Sequence, residues 1–295
     1  MGKVFLGRKL ALILRLPIYR NKSGFRTRDE EKMNTEQKEI LSKVPEVTLI
    51  FWIIKILATT LGETGGDAMT MSFLGETTGD AHPYGYLIGT GVFAVIFLIA
   101  VAVQIKAKKF HPFIYWVTII ATTTVGTTLA DYVTRSIGLG YAGGSALLFT
   151  LLLASLFVWY RTLGSVSVDT VSEPKAEMFY WMTIMFSQTL GTALGDWTAD
   201  KVGLGLGYSG AAIVFGTMLA IIAAMYFWTK ISRTALFWAA FIITRPLGAV
   251  VGDFLDKPME KGGLELSRYA ASAVLIVFIV AFIFIFKQKP AEKAH

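Results

Sequence analysis

Four stretches of the chain decide its fold because they are copies of one another: LATTLGETGGDAMT (57–70), IATTTVGTTLADYVT (120–134), FSQTLGTALGDWTAD (186–200) and ITRPLGAVVGDFLDK (243–257). Each copy contains a glycine and, five residues later, an aspartate. The glycines are Gly62, Gly126, Gly191 and Gly248, and the aspartates are Asp67, Asp131, Asp196 and Asp253. The copies follow one another at intervals that suit one two-helix unit each, so the pattern indicates an internal duplication.

The composition around these copies is that of a membrane protein. Of the 295 residues, 54% are hydrophobic and 17% are charged, and the mean hydropathy is +0.56. A soluble domain of this length has fewer apolar and more charged residues. The apolar segments lie at 47–64, 86–105, 112–133, 141–160, 178–199, 208–228, 234–254 and 267–286. Because a helix crosses a bilayer in about 20 residues, the sequence predicts an all-α polytopic membrane protein with eight transmembrane helices.

Two helices per copy make successive copies enter the membrane from the same side, as parallel repeats around an axis along the membrane normal. The predicted repeats are 45–108, 109–173, 174–232 and 233–287, between a basic leader at 1–44 and a tail at 288–295. Met33 would serve as well as Met1 for a start, so whether 1–32 is native stays open.

Basic residues predict the orientation. The links after the second, fourth and sixth apolar segments hold more lysine and arginine than the opposite links, where Arg135 and Lys257 are among the few. Short cytoplasmic loops carry such an excess. Both termini are therefore predicted to be cytoplasmic.

Several classes of function lack the residues that they need. The chain has no cysteine and three histidines, so disulfides and the usual zinc sites are excluded. A phosphate-binding loop of the G-x-x-x-x-G-K-[ST] type is absent, so ATP would not drive the protein directly. An enzyme has the least support because no nucleophile, base and metal set can be named. No cofactor and no nucleic-acid partner is predicted.

The four aspartates have two interpretations. Those of the last three copies lie roughly 24 to 27 Å along their helices from the predicted cytoplasmic edge, in the outer third of the membrane, and the four aspartates would cap the hairpins. Alternatively, they face a cavity, a partner or an ion, because a carboxylate in the apolar zone costs about 2.5 to 3.5 kcal/mol. The glycines before Asp67 and Asp196 would allow a helix break there, and broken helices expose backbone oxygens to ions in many transporters.

Other polar residues extend this candidate set. Glu63 lies one helical turn before Asp67, and these two are better candidates than the acidic residues of LGETTGD at 74–80, which reads as a loop insertion. Thr127 and Thr192 occupy the position of Glu63 in the second and third copies and would supply neutral oxygens.

Two basic residues are predicted as internal counter-ions. Arg245 stands where the first copy has Thr59, and we expect it to neutralise a carboxylate of the fourth copy. Lys55, eight residues before Glu63, would do the same in the first copy. Snorkelling to the membrane surface is the alternative for both side chains. Four tryptophans near the starts of the odd-numbered segments are predicted to be interfacial anchors. They are Trp52, Trp116, Trp181 and Trp238.

The segment KVPEVTLIFWIIKILATTLGETGGDA (43–68), together with the repeated GT-x-x-GD and GLGLGY segments, resembles a bacterial "membrane-anchored protein" family made of four repeats of a domain of unknown function. The likeness covers about 43–286, and 68–80 departs from its spacing. It implies a multi-pass protein of the bacterial inner membrane and implies no activity. A looser similarity is to cation and proton exchangers with E-x-G-D motifs, which is an analogy.

Together these observations predict a secondary transporter for a hard cation, coupled to protons. The expected cation and proton ligands are Glu63, Asp67, Asp131, Asp196 and Asp253, with Thr127 and Thr192 beside them. Such oxygen ligands suit magnesium, calcium or manganese, and like charges held close need a cation or protons. The partners would be the cation, protons and the bilayer, and a homo-oligomer is compatible with the pattern. The alternative is a structural or assembly protein with tightly packed Gly- and Thr-rich helices.

Overall fold

The computed structural model describes residues 42–75 and 84–291, and across these residues the chain forms eight long α-helices and no strand. They are α1 (Leu49–Asp67), α2 (Gly85–Lys106), α3 (Pro112–Asp131), α4 (Gly140–Leu163), α5 (Pro174–Ala199), α6 (Gly207–Trp228), α7 (Arg233–Asp256) and α8 (Arg268–Ile285). Each predicted apolar segment overlaps one of them, so the all-α prediction is confirmed. Seven are long and apolar enough to cross a membrane. The exception is α5, which carries several buried polar residues, among them Gln188 and Asp196.

Local sequence sets where these helices begin and end. The hydroxyl of Thr48 accepts a hydrogen bond from the backbone N–H of Phe51 and caps α1. Pro112 and Pro174 open α3 and α5, where a missing N–H and a fixed φ favour the first turn. Gly164, at φ +73°, ends α4 in the left-handed conformation that glycine adopts without strain.

The eight helices form an inner and an outer layer. In α1, α3 and α7 between 61% and 72% of the most apolar stretch is buried, against 11% to 33% in α2, α4, α6 and α8. Each outer helix presents large apolar side chains outward. One example from each helix has an exposed fraction between 63% and 73%. These examples are Leu98, Phe157, Ile213 and Phe284. A surface that is apolar over four helices is suited to hydrocarbon.

The inner helices form a closed ring. Helix α1 packs against α3, α3 against α5, α5 against α7, and α7 returns to α1. The outer helices α2, α4 and α6 lie against α3, α5 and α7, and α8 lies against α1. Each outer helix therefore packs mainly on the inner helix of the next copy.

The aligned glycines are the contact points of this ring. A Cβ atom at Gly126 would lie 2.9 Å from the Cβ of Gln188 and 3.0 Å from the backbone of Thr189. The other three glycines face the equivalent residue of the next copy: Gly62 faces Thr123, Gly191 faces Arg245, and Gly248 faces Thr59. Only a residue without a side chain allows the helices to approach this closely.

The predicted helix break at these glycines is wrong. Helices α1 and α5 continue through their glycines as far as Asp67 and Ala199. Irregularity begins one residue after the aspartates of the first two copies, where π-helical turns span Ala68–Phe73 and Tyr132–Ser136. The glycines instead allow close packing between copies. The backbone of each helix stays continuous across them.

Eight aromatic rings close one end of the inner ring, in four sequential pairs. The pairs are Phe51–Trp52, Tyr115–Trp116, Tyr180–Trp181 and Phe237–Trp238. The first ring of each pair contacts the tryptophan of the next copy. The centroid distances are 5.5 Å for Phe51–Trp116, 5.7 Å for Tyr115–Trp181, 6.3 Å for Tyr180–Trp238 and 5.9 Å for Phe237–Trp52. The hydroxyls of Tyr115 and Tyr180 are hydrogen-bonded at 2.7 Å.

This packing overturns the prediction of interfacial anchors. Trp116, Trp181 and Trp238 are at most 5% exposed, and Trp52 packs against the same cluster. Edge and tilted contacts between rings of neighbouring copies account for these residues, since such pairs stabilise a core beyond their buried area.

Both ends of the described chain meet at the aromatic end. The N–H of Ala291 donates to the carbonyl of Val44 at 2.8 Å, and Trp116 Nε1 donates to Gln288 Oε1 at 2.8 Å. Lys43 pairs with Glu177 at 2.6 Å. Most of the predicted leader (1–41), the acidic residues of 76–80 and the last four residues of the tail lie outside the described residues.

Candidate cation site

The residues that follow the aligned glycines meet at the centre of the ring. Arg245 Nη1 lies 3.0 Å from Glu63 Oε2, and Arg245 Nη2 donates to the hydroxyls of Thr127 and Thr192, each at 2.6 Å. The hydroxyl of Thr127 donates in turn to Glu63 Oε2 at 3.2 Å. The Arg245 side chain is completely buried and that of Glu63 is 3% exposed. The predicted grouping of Glu63 with Thr127 and Thr192 is therefore present.

Arg245 joins all four copies. It sits on α7 of the fourth copy and also donates to the carbonyls of Thr59 and Thr123, at 3.3 and 3.4 Å. A guanidinium offers five N–H donors in a fixed plane, and this one uses those of its two Nη groups on the first, second and third copies. Its position is consequently near the axis of the ring.

The predicted acidic partner of Arg245 is wrong. Arg245 is an internal counter-ion, but its carboxylate is Glu63 of the first copy and not Asp253 of its own copy. Eight residues along one helix correspond to about 12 Å, which separates Arg245 from Asp253. Ring closure instead places α7 directly against α1.

Lys55 does not act as the expected counter-ion. It is completely buried, which also excludes snorkelling, and its ammonium has no hydrogen-bond partner among the described residues. Its Nζ lies 3.6 Å from the centroid of the Phe241 ring. This is a cation–π contact, two helical turns away from Glu63.

The four aspartates are linked in two pairs by basic side chains. Arg135 Nε lies 3.0 Å from Asp131 Oδ1, and Arg135 Nη2 lies 3.0 Å from Asp196 Oδ2. In the same way Lys257 Nζ lies 3.1 Å from Asp253 Oδ1 and forms an ion pair with Asp67.

Each of these two bases follows the aspartate of its own copy by four residues and reaches the aspartate of the next copy. The arrangement therefore repeats on opposite sides of the ring. Four carboxylates face two basic side chains.

The aspartate end is partly open through its two bases. The Arg135 side chain is 33% exposed and the Lys257 side chain 10%, whereas the four carboxylates are at most 6% exposed. Burial alone would lower the pKa of Lys257, but the carboxylates of Asp253, Asp67 and Asp256 raise it well above its ordinary value. Lys257 therefore acts as a full positive charge.

Three of the five predicted metal ligands come together. Glu63, Asp67 and Asp253 each offer a carboxylate oxygen, and these oxygens lie within 4.8 Å of one another. Hard divalent cations bind oxygen at about 2.0 to 2.6 Å, so these oxygens are close enough together for one ion to contact all three only where the Lys257 ammonium does not occupy the space. Asp131 and Asp196 lie outside this group and share Arg135 instead.

Arg135 and Lys257 belong to the site but are not among the residues predicted for it from the sequence. Both were counted as link charges that only report membrane orientation. The signal was present in their spacing, because a base four residues after an acid faces it on one side of a helix. Asp256 is a further buried acid, paired with Arg268 at 3.2 Å.

Comparison with known proteins identifies the repeat. The family model described as "Repeat of Unknown Function (DUF347)" matches residues 50–110, 114–165, 179–232 and 236–289. Each match takes in most of one inner helix and the outer helix that follows it. No curated protein and no solved structure matches the chain. Since the four matches cover most of its length, the chain belongs to the family of proteins built from the DUF347 repeat of unknown function.

Proposed function

We propose that this protein is a secondary transporter for a hard cation, coupled to protons through its buried carboxylates. The observation that carries the proposal is an excess of acid among the four aligned aspartates, which we call the aspartate ring. Two bases, Arg135 and Lys257, face these four carboxylates. An uncompensated charge inside a protein or a membrane costs several kcal/mol. A bound cation or protons supply the missing positive charge.

In this proposal the eight helices cross the membrane as four parallel two-helix repeats, with both termini cytoplasmic. The apolar outer layer supports insertion, and the meeting of the two chain ends supports an even number of crossings. The excess of lysine and arginine in the links on the side of the termini supports a cytoplasmic location for both ends. The polar face of α5 points into the bundle, which supports its crossing despite a lower hydropathy.

The two ends of the inner ring support a gated pathway. The aspartate end has a partly exposed Arg135, whereas the aromatic end is closed by eight rings and the Tyr115–Tyr180 hydrogen bond. A cation entering from the aspartate end reaches the carboxylates first. Release on the other side then requires the aromatic rings to separate, as alternating access demands.

The test is transport by purified protein in liposomes. Magnesium, calcium, manganese and sodium are supplied in turn with an imposed pH gradient, and cation uptake and internal pH are recorded together. We expect uptake of at least one of these cations with opposite proton movement, lost in Asp67→Asn and Asp253→Asn. Glu260→Gln removes an exposed carboxylate near the same end and is the control that should transport normally. Folded variants that all transport like the wild type, or a wild type that moves none of the four cations, would refute the proposal.

A structural or assembly role is the second candidate, and the close glycine contacts between the copies favour it. Such contacts maximise packing between membrane helices whether or not an ion passes. This role predicts no flux in liposomes. It also predicts that Asp67→Asn and Asp253→Asn affect only the free energy of unfolding.

A further inference from the structure

The two halves of the aspartate ring differ in the base that holds them. One half is Asp131 and Asp196 on Arg135, which also donates to the hydroxyl of Tyr86 at 3.2 Å. The other half is Asp67 and Asp253 on Lys257. A guanidinium grips two carboxylates through several fixed N–H groups, whereas an ammonium is a compact point charge on a flexible stem. The lysine half is therefore held by a single point charge, which a metal cation resembles more closely than a guanidinium does.

A second difference is that a third acid, Glu63, joins the two aspartates of the lysine half. Oxygens of Glu63, Asp67 and Asp253 gather there within 4.8 Å of one another. Asp67 is completely buried, and its Oδ1 has no hydrogen-bond partner among the described residues; the two carboxylate oxygens of Asp131 in the other half also lack one, but no third acid joins them. The Lys257 ammonium bridges two of these three acids and so stands where a bound cation would lie.

We infer that Lys257 is a tethered competitor for the transported cation: its ammonium holds the Asp67–Asp253 half of the ring until a cation displaces it. The Arg135 half stays closed and serves to hold the second and third copies together. The cation site is thereby assigned to the contact between the first and fourth copies. This inference rests on the proposed function and specifies which of the four aspartates bind the cation.

Competition of this kind has a direct energetic consequence. Both the ammonium and the cation neutralise the same two carboxylates, so the affinity for the cation is reduced by the free energy needed to displace Lys257. Without Lys257, Asp67 and Asp253 would face each other with no positive charge between them. The protein would then depend on the cation for its stability.

The experiment compares Lys257→Gln with Arg135→Gln, which removes the other base of the same ring. Binding of magnesium, calcium and manganese to the purified full-length proteins is measured by titration calorimetry, and thermal unfolding is measured with and without each ion. We expect Lys257→Gln to bind its preferred cation about tenfold tighter or more, with a larger stabilisation by the ion than in the wild type. We expect Arg135→Gln to unfold at a lower temperature without tighter binding.

Lys257→Arg keeps the charge and guards against a folding defect in Lys257→Gln. Because arginine grips two carboxylates more firmly, this variant should bind the cation more weakly than the wild type. Equal affinity in the wild type, Lys257→Gln and Lys257→Arg would overturn the inference and leave the proposed function standing. Tighter binding in Arg135→Gln only would also overturn it. Absence of binding in every protein would overturn both.

Discussion

Arg245→Met tests the central contact of the ring, the buried pair with Glu63. The change keeps an apolar stem against Gly191 but removes the ion pair at 3.0 Å and the two hydroxyl contacts at 2.6 Å. Glu63 would remain buried, with only hydroxyl donors near its carboxylate. Breaking a buried pair on one side costs about 3 to 5 kcal/mol, because one charge is left uncompensated. We expect a loss of that size in the free energy of unfolding.

The double variant Glu63→Gln with Arg245→Met separates this charge effect from lost packing. It removes both charges, so its cost should fall to about 1 to 2 kcal/mol, the scale of ordinary hydrogen bonds. It should therefore be more stable than Arg245→Met alone. Unfolding by dodecyl sulfate in mixed micelles, followed by tryptophan fluorescence, measures these free energies. A double variant that is less stable than Arg245→Met, or costs that simply add, would refute the assignment of Arg245 as the counter-ion of Glu63.

Two further predictions concern packing and orientation. Gly126→Ala places a methyl group 2.9 Å from Gln188 Cβ and against neighbouring backbone, so we expect a loss of about 1 to 3 kcal/mol in the same assay; Gly65→Ala, where no atom lies within 4 Å, should be neutral or stabilising. The chain has no cysteine, so a single exposed cysteine reports sidedness. Ile137→Cys should react with a membrane-impermeant maleimide on intact cells, and Lys108→Cys only after permeabilisation; the reverse pattern would invert the proposed orientation.

The helices and the central group of Glu63, Thr127 and Thr192 were predictable because they depend on features that can be read along the chain. Apolar length located all eight helices to within a few residues. Alignment of the copies then grouped Glu63 with Thr127 and Thr192, since equivalent positions in a ring lie at the same height. The structure places these three side chains together on Arg245.

The contacts between copies were not predictable in the same way. Whether a side chain meets its own copy or the next one depends on how the inner helices are arranged around the ring, and no spacing in the sequence specifies that. Spacing alone assigned Arg245 to its own copy, whereas the structure pairs it with the first. The tryptophans likewise lie near helix starts, where surface anchors are expected. Only the closure of the ring brings each one against an aromatic residue of the preceding copy.

The closing contact between the last and first copies also sets an order for biosynthesis. Glu63 and Asp67 leave the ribosome early, and their partners Arg245 and Lys257 follow 182 and 190 residues later. At about 5 to 20 residues per second, the nascent chain carries these acids without their counter-ions for roughly ten to forty seconds. A chain that stops before the fourth repeat never neutralises them. The charges that form the candidate site therefore stay without these partners until the fourth repeat has packed against the first.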